Sequence, residues 1–371
     1  MVQKKYNINQ IEPLISNYDK SEIIKYVNSG GWITEHKKNK IFEERFKKVT
    51  NSKNAITFPN GTLTIVSILL ALNIKKNDEV IVPNYTMVAT ANAIKLVGGK
   101  PVLCDISRND LCLDPIKLNN KINKKTKAVI YVTLNGRSGQ IDKIQNICKK
   151  KKIFLIEDSA HSIGSYYKKK HHGNFSIASS FSFSMPKIIT TGQGGMVVSN
   201  NKKLSQKLRL IKNFGRISDG NDKYESVGFN FKFTDLQSSL GISQLKNIKE
   251  KILKKKYIYK KYYSKLKQLE NKKIEFFNFK SYETPWFVDI YISKPKLLQK
   301  YLLKNGIKTR LVYPSLNKLK IFNQKGDFKI SNHYCSRGLW LPSSLNLTND
   351  EINFICKKII EFFKKKITKI R

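Results

Sequence analysis

Between residues 55 and about 200, short apolar runs alternate with segments of helical pattern, and this alternation constrains the fold more than any other feature. The run at 55–58 precedes a helix starting near Gly61, and the run at 79–82 precedes one starting near Thr86. Runs at 101–105, 127–132 and 153–157 continue the series, and 178–184 and 195–199 add two more across a turn rich in Gly and Pro. Strands that alternate with helices pair side by side through crossovers, so the pattern predicts a mainly parallel sheet covered on both faces.

Beyond Asp235 the character changes. A long lysine-rich helix is expected over 236–269, followed by strand-like stretches at 286–292 and 308–313. Thr348-Asn349-Asp350-Glu351 has the form of a capping box ahead of Ile352, Ile355, Ile359 and Phe363 at helical spacing. The expected organisation is a large α/β domain with an N-terminal segment over 1–244 and a smaller C-terminal α+β domain over 245–371.

Composition narrows the function classes. Apolar residues at 40% and aromatics at 11% exclude a disordered chain, although 70 Lys+Arg against 27 Asp+Glu give a net charge of +43. Of those 70, 62 are Lys, spread along the chain in short runs such as 149–152, 168–170, 254–256 and 364–366. No basic stripe, zinc finger or RNA-binding signature accompanies them, so a solvated surface is expected and no nucleic-acid partner. The basic start Met1-Val2-Gln3-Lys4-Lys5-Tyr6 lacks an apolar segment behind it, and the longest apolar stretch, 63–72, is too short for a membrane span. Cys104, Cys112, Cys148, Cys335 and Cys356 form no C-x-x-C pair, which predicts buried thiols, no metal site and a cytoplasmic location.

Four features sit where an open parallel sheet binds ligands, at the carboxyl ends of its strands. Pro59-Asn60-Gly61-Thr62 joins a strand to a helix, where Gly permits close approach and the helix N-terminus attracts a phosphate. Ile156-Glu157-Asp158-Ser159-Ala160-His161 carries an acid to a strand tip, although an Asp there is also a common N-cap. Phe181-Ser182-Phe183-Ser184-Met185-Pro186-Lys187 leads into a glycine loop, and a lysine desolvated in such a place makes a Schiff-base amine. Gly228-Phe229-Asn230-Phe231-Lys232-Phe233-Thr234-Asp235 is a polar–aromatic alternation whose plain reading is a loop with Asp235 in a helix first turn. A phosphate cradle, an acid and a downstream lysine together suggest a pyridoxal phosphate site.

At this point the chain resembles the DegT/DnrJ/EryC1/StrS family of sugar aminotransferases, which have the type I pyridoxal-phosphate aminotransferase fold. The matching segments run from Gly31-Trp32-Ile33-Thr34 through Asn60-Gly61-Thr62, residues 83–91, 157–164 and 182–198, to Gly306-Ile307-Lys308-Thr309-Arg310 and residues 337–343. The resemblance implies that Lys187 holds the cofactor through its amine and then moves protons, while Asp158 pairs with the pyridine nitrogen. It places His161 against the cofactor ring or its phenolic oxygen, and Gly61, Thr62 and Ser182 on the phosphate. Asn230, with Lys232, is implied to reach the phosphate of a neighbouring subunit, so the active unit is a homodimer or larger. The implied reaction moves an amino group from glutamate to a keto sugar on a nucleotide diphosphate. Leu134-Asn135-Gly136-Arg137-Ser138-Gly139 and Pro285-Trp286-Phe287-Val288-Asp289-Ile290 resemble the family's 4-aminotransferases, which implies GDP-4-keto-6-deoxymannose.

Three positions depart from the family pattern. Met87 stands where relatives stack an aromatic on the cofactor; Phe214 and Asn317 stand where many have His, which bears on sugar specificity. Lys187 itself is present, whereas the family's dehydratases carry His there. A chain that uses Lys almost everywhere yet keeps Arg at 137, 216, 310 and 337 needs a planar fork at some of these, and Arg310 is expected to contact substrate. The rival activities are 3-amination of a dTDP- or UDP-linked 3-keto sugar and, more distantly, a non-catalytic regulatory or nucleic-acid-binding use of the fold.

Overall fold

The computed structural model describes residues 6–218, 220 and 222–365; the opening Met1 to Lys5 and Lys366 of the last lysine run lie outside them. Two helices, α1 (Asn17–Asn28) and α2 (Lys37–Thr50), precede the sheet. The first apolar runs become β1 (Asn54–Phe58), β2 (Glu79–Pro83), β3 (Lys100–Cys104), β4 (Thr126–Val132) and β5 (Phe154–Asp158). Between them lie α3 (Gly61–Ala71), α4 (Val88–Leu96), α5 (Pro115–Lys121) and α6 (Ile141–Lys151). A short hairpin, β6 (Tyr166–Tyr167) and β7 (Lys170–His171), leads to β8 (Ala178–Ser182), β9 (Gly195–Ser199) and α7 (Lys202–Lys212).

The seven-stranded sheet has the order β1-β9-β8-β5-β4-β2-β3. Only β9 runs against the rest, antiparallel to both β1 and β8. The tips of β1, β2, β5 and β8 therefore share one end. Burial explains why these strands are legible as unbroken apolar runs. Ala55, Ile81, Val129, Leu155 and Val198 face one core cluster, while Ile56, Val80, Ile130, Ile156 and Val197 face a second on the other side. A strand buried on both faces has no polar alternation to show.

The C-terminal part comprises α8 (Asp235–Lys246), α9 (Ile248–Leu266), β10 (Val288–Tyr291), α10 (Pro295–Lys304), β11 (Arg310–Leu311), α11 (Lys329–Cys335), β12 (Gly338–Leu341) and α12 (Asn349–Lys365). Its strands form a sheet in the order β10-β12-β11, and a third core cluster joins them to α9, α10 and α12. The chain start joins this cluster too: the N–H of Ile8 donates to the carbonyl of Gly306, and that of Lys308 to the carbonyl of Ile8, both at 2.8 Å. The Thr348 capping box forms as expected, with Glu351 returning to the Thr348 N–H at 2.8 Å.

Two expectations are corrected. The single helix over 236–269 is two helices, because Asn247, at φ −107° and ψ 27°, ends α8 and starts α9. The break lets α8 stay packed on α1 and α2 while α9 turns to the C-terminal sheet. The lysine runs are not wholly solvated either. Along α9 the buried residues Ile248, Lys251, Lys255, Ile258, Tyr262 and Leu266 recur three to four apart, so two lysines lie on the core-facing side. All five cysteines are free thiols, and four of them are buried. No described helix is long and apolar enough to cross a membrane.

Candidate active site

The phosphate cradle is built by close backbone approach. Asn60 is extended at φ −165° and caps α3, its Oδ1 accepting from the Leu63 N–H at 3.0 Å. A Cβ on Gly61 would lie 2.8 Å from Cβ of Ser182, and one on Gly195 would lie 2.7 Å from the Asn60 carbonyl. Glycine at both positions lets the N-terminus of α3 rest on the tips of β8 and β9. The unpaired first N–H groups of the helix then face the same cleft as Thr62 and Ser182.

Alternation along β5 gives its two acids opposite roles. Glu157 points into the protein and accepts from His172 Nδ1 at 3.1 Å and from the N–H groups of Gly173 and Phe175. Asp158, the last strand residue, points into the cleft and is 6% exposed. Burial raises its pKa, against which the Thr90 hydroxyl at 2.7 Å, the Ala160 N–H and the charge of Lys187 all favour the carboxylate.

Lys187 lies two residues past Met185 on the loop after β8, and its side chain lines the cleft with Asp158. Desolvation lowers its pKa to about 7; Asp158 opposes that shift and Arg310 adds to it. Its Nζ lies 4.1 Å from the ring centroid of Trp286. His161 stacks on the same indole at 3.9 Å with planes 13° apart. Burial and then the Lys187 charge hold the imidazole well below its usual pKa, so it is neutral. The Asn135 N–H donates to its Nδ1 at 3.3 Å, which leaves the ring proton on Nε2.

The structure thus brings Gly61, Thr62, Met87, Asp158, His161, Ser182, Lys187 and Arg310 around one open cleft of about 830 Å³. Met87, at the N-terminus of α4, is half-exposed at the cleft wall. Asn230 is not brought there; it is exposed and bridges Asn213 through its backbone. Phe214 and Asn317 do not line the cleft; Asn317 instead binds Asn84, accepting from its Nδ2 at 2.9 Å. The fork of Arg137 is used inside the protein, on Asp289 at 2.7 and 2.9 Å. Sequence reasoning missed Thr90, Tyr313 and the placement of Trp286. Thr90 lies one helical turn beyond Met87, a spacing that could have flagged it; Trp286 and Tyr313 arrive from the C-terminal part and leave no local signal.

These residues fit pyridoxal phosphate. The Gly61 and Gly195 cradle offers N–H groups and hydroxyls to a phosphate dianion, Asp158 offers a buried carboxylate, and Lys187 an amine that is partly unprotonated at neutral pH. Among the described residues no cluster of three metal-ligating side chains occurs.

Comparisons with known proteins place the chain in a family. The DegT/DnrJ/EryC1/StrS aminotransferase family profile matches residues 15–360. The chain is 33% identical over 354 residues to a GDP-perosamine synthase of Vibrio cholerae, covering 91% of this chain and 95% of that protein. It superimposes on Helicobacter pylori PseC, an aminotransferase involved in the biosynthesis of pseudoaminic acid, with a TM-score of 0.91, 27% identity and coverage of 97% and 100%. A sugar aminotransferase described as putative, Spr1654 of Streptococcus pneumoniae, solved in its PLP form, gives a TM-score of 0.89 at 25% identity, covering 95% and 97% of the two chains. The chain belongs to the DegT/DnrJ/EryC1/StrS aminotransferase family and is a pyridoxal-phosphate-dependent sugar aminotransferase.

Proposed function

We propose that the protein transfers an amino group from glutamate to carbon 4 of a nucleotide-linked 4-keto-6-deoxy sugar, with GDP-4-keto-6-deoxymannose as substrate and GDP-perosamine as product. The observation that carries this reading is the likeness, over nearly the whole of both chains, to a GDP-perosamine synthase, combined with a cleft lined by Asp158, Lys187 and Arg310 together. The product is an activated amino sugar of the kind built into polysaccharides such as O-antigen.

The residues divide the work as follows. The N-terminus of α3, with Gly61, Thr62 and Ser182, holds the cofactor phosphate by N–H and hydroxyl donation. Asp158, whose carboxylate form Thr90 and Ala160 favour against burial, would pair with the ring nitrogen and keep it protonated. His161 would contact the bound cofactor, and Met87 covers part of the cleft with its thioether. When bound, pyridoxal phosphate supplies the electron sink that lets a proton leave the donor carbon. Lys187, with a pKa of about 7, is divided between amine and ammonium at neutral pH and so can both take and return that proton. Arg310 offers its planar fork to the donor carboxylate or the sugar diphosphate. Asn230, exposed and outside its own cleft, is assigned with Lys232 to the phosphate of a second subunit in a homodimer or larger assembly.

The test is spectroscopic. Purified protein mixed with pyridoxal phosphate develops the visible band of the lysine-bound cofactor, loses it with glutamate, and regains it with one member of a panel of nucleotide keto sugars. NMR of the product then locates the nitrogen. Recovery only with a 3-keto sugar would replace the assignment to carbon 4, and no band in wild type would remove Lys187 from its role.

A further inference from the structure

Trp286 has no part in the roles assigned above, yet it meets the site at three points. The residue is 2% exposed, and its Nε1–H donates to the carbonyl of Pro186, the residue before Lys187, at 2.7 Å. The same ring lies 4.1 Å from Lys187 Nζ and stacks on His161 at 3.9 Å. Its own backbone is pinned from two sides: its N–H donates to the Asn135 carbonyl at 3.2 Å, and its carbonyl accepts from Lys255 Nζ at 2.9 Å. Asn135 closes the circuit, since its N–H also reaches His161 and its side chain pairs with both backbone groups of Phe287.

We infer that Trp286 is a positioning residue for the amine transfer: it holds the Pro186 peptide, seats the Lys187 ammonium on its ring so that the side chain stays aimed into the cleft, and fixes the plane of His161. The inference rests on the reading of Lys187 as the cofactor-holding amine. Its physical basis is that a ring face attracts the ammonium and not the neutral amine. While the amine is free of cofactor, the contact therefore favours the protonated lysine against the desolvation of the cleft and weakens once the amine loses its proton. Protonation and position of Lys187 are thereby coupled through one indole. The other titratable or charged groups facing this arrangement are Asp158 from β5, His161 just beyond it, and Arg310 and Tyr313 from the C-terminal part. Lys255 of α9 acts on the Trp286 carbonyl.

The coupling can be read without catalysis. The chain has three tryptophans, Trp32, Trp286 and Trp340, and in cofactor-free protein the ring of Trp286 reports whether an ammonium sits on it. Intrinsic fluorescence against pH is expected to show, near pH 7 in wild type, a component that Lys187→Ala removes, while the Lys255 component near the same pH and the His161 component at lower pH persist in that variant. The same midpoint should govern the acetylation rate of Lys187, followed by peptide mass spectrometry. In Trp286→Leu that midpoint falls by about half to one pH unit, and in Trp286→Phe by less, because a ring face is retained. A fluorescence trace identical in wild type and Lys187→Ala overturns the inference, and so does an acetylation midpoint unmoved in a folded Trp286→Leu. Should the Leu variant fail to fold, the comparison of wild type with Lys187→Ala decides alone. Loss of the cofactor band in wild type would instead overturn the reading of Lys187, whereas a normal band without the fluorescence step confines the failure to Trp286.

Discussion

Lys187 and Lys255 are both withdrawn from water, both lose proton affinity until their pKa lies at about 7, and both touch Trp286, but they are held in different ways. Lys255 donates to two carbonyls, of Trp286 at 2.9 Å and Ser343 at 2.6 Å, and is enclosed by the C-terminal core. Lys187 rests on a ring face at the wall of an open cleft, with a carboxylate and a guanidinium among its neighbours. Desolvation alone accounts for the shift at Lys255, whereas at Lys187 the pull of Asp158 and the push of Arg310 act on top of it. A lowered pKa therefore does not identify a reactive lysine; a lowered pKa on an amine with room to move does.

Substitution separates the two. Lys187→Ala should lower the transamination rate about 10³-fold or more, because both the cofactor-holding amine and the proton carrier go. Its stability in urea should be unchanged or higher at pH 7, since a desolvated cation has been removed. Lys255→Met should do the reverse. It leaves two buried carbonyls without a donor, at a cost of about 1–3 kcal/mol, while activity stays within about threefold. A Lys255→Met enzyme as inactive as Lys187→Ala would show that the Trp286 backbone, and not its ring alone, sets the amine.

Proton linkage gives a finer comparison. In the unfolded chain both lysines titrate near 10.4, and in the folded cofactor-free protein near 7. Between those values the unfolded state binds more protons, so their contribution makes stability rise with pH from about 7 towards 10, and it is flat below 7. Urea midpoints at pH 7 and pH 9 should diverge in wild type and diverge less in each single variant. An equal difference in all three proteins would mean that neither lysine is depressed in solution.

Much of the fold was legible in the sequence because the sheet is buried on both sides. Its strands form apolar runs whose ends fall within one or two residues of those observed, as at 55–58 against Asn54–Phe58. Lys187 stood out among 62 lysines by position, after a buried strand and a Pro turn. Lys255 was hidden because it lies in a run of three, and only its register with Ile248, Ile258, Tyr262 and Leu266 marks it as inward. The break at Asn247 was invisible for the same reason: lysines on both sides continue a helical pattern, and only packing of α8 and α9 on different partners requires the bend. Trp286 and Tyr313 reach the cleft from about 100 residues or more beyond Lys187, so their contacts depend on how the C-terminal part docks. The Arg137–Asp289 pair shows the same limit, with both residues visible in separate motifs and their pairing carried by the tertiary structure.

Arginine repeats the comparison at lower amplitude. Arg137 is buried with its fork on Asp289, whereas Arg310 is exposed at the cleft, over the rings of Tyr313 and Trp340. Arg310→Lys keeps the charge and loses the fork, so KM for glutamate or for the nucleotide sugar should rise about tenfold with kcat and stability nearly unchanged. Equal kinetics for both substrates would remove Arg310 from the binding surface.

The smallest expected effect tests what favours the carboxylate form of Asp158. Burial pushes its pKa up, and the Thr90 hydroxyl is its nearest opposing donor. Thr90→Val preserves shape and removes that donor, so the carboxyl rises further. Only the ionised form can pair with a protonated ring nitrogen, so the acid limb of kcat/KM should move to higher pH. A hydrogen bond to a charged group of about 1.5 kcal/mol corresponds to about one pH unit. The deficit of the variant against wild type should therefore be larger at pH 6 than at pH 8. A deficit that is the same at both pH values would mean that Thr90 acts by packing against the cofactor and not through the charge of Asp158.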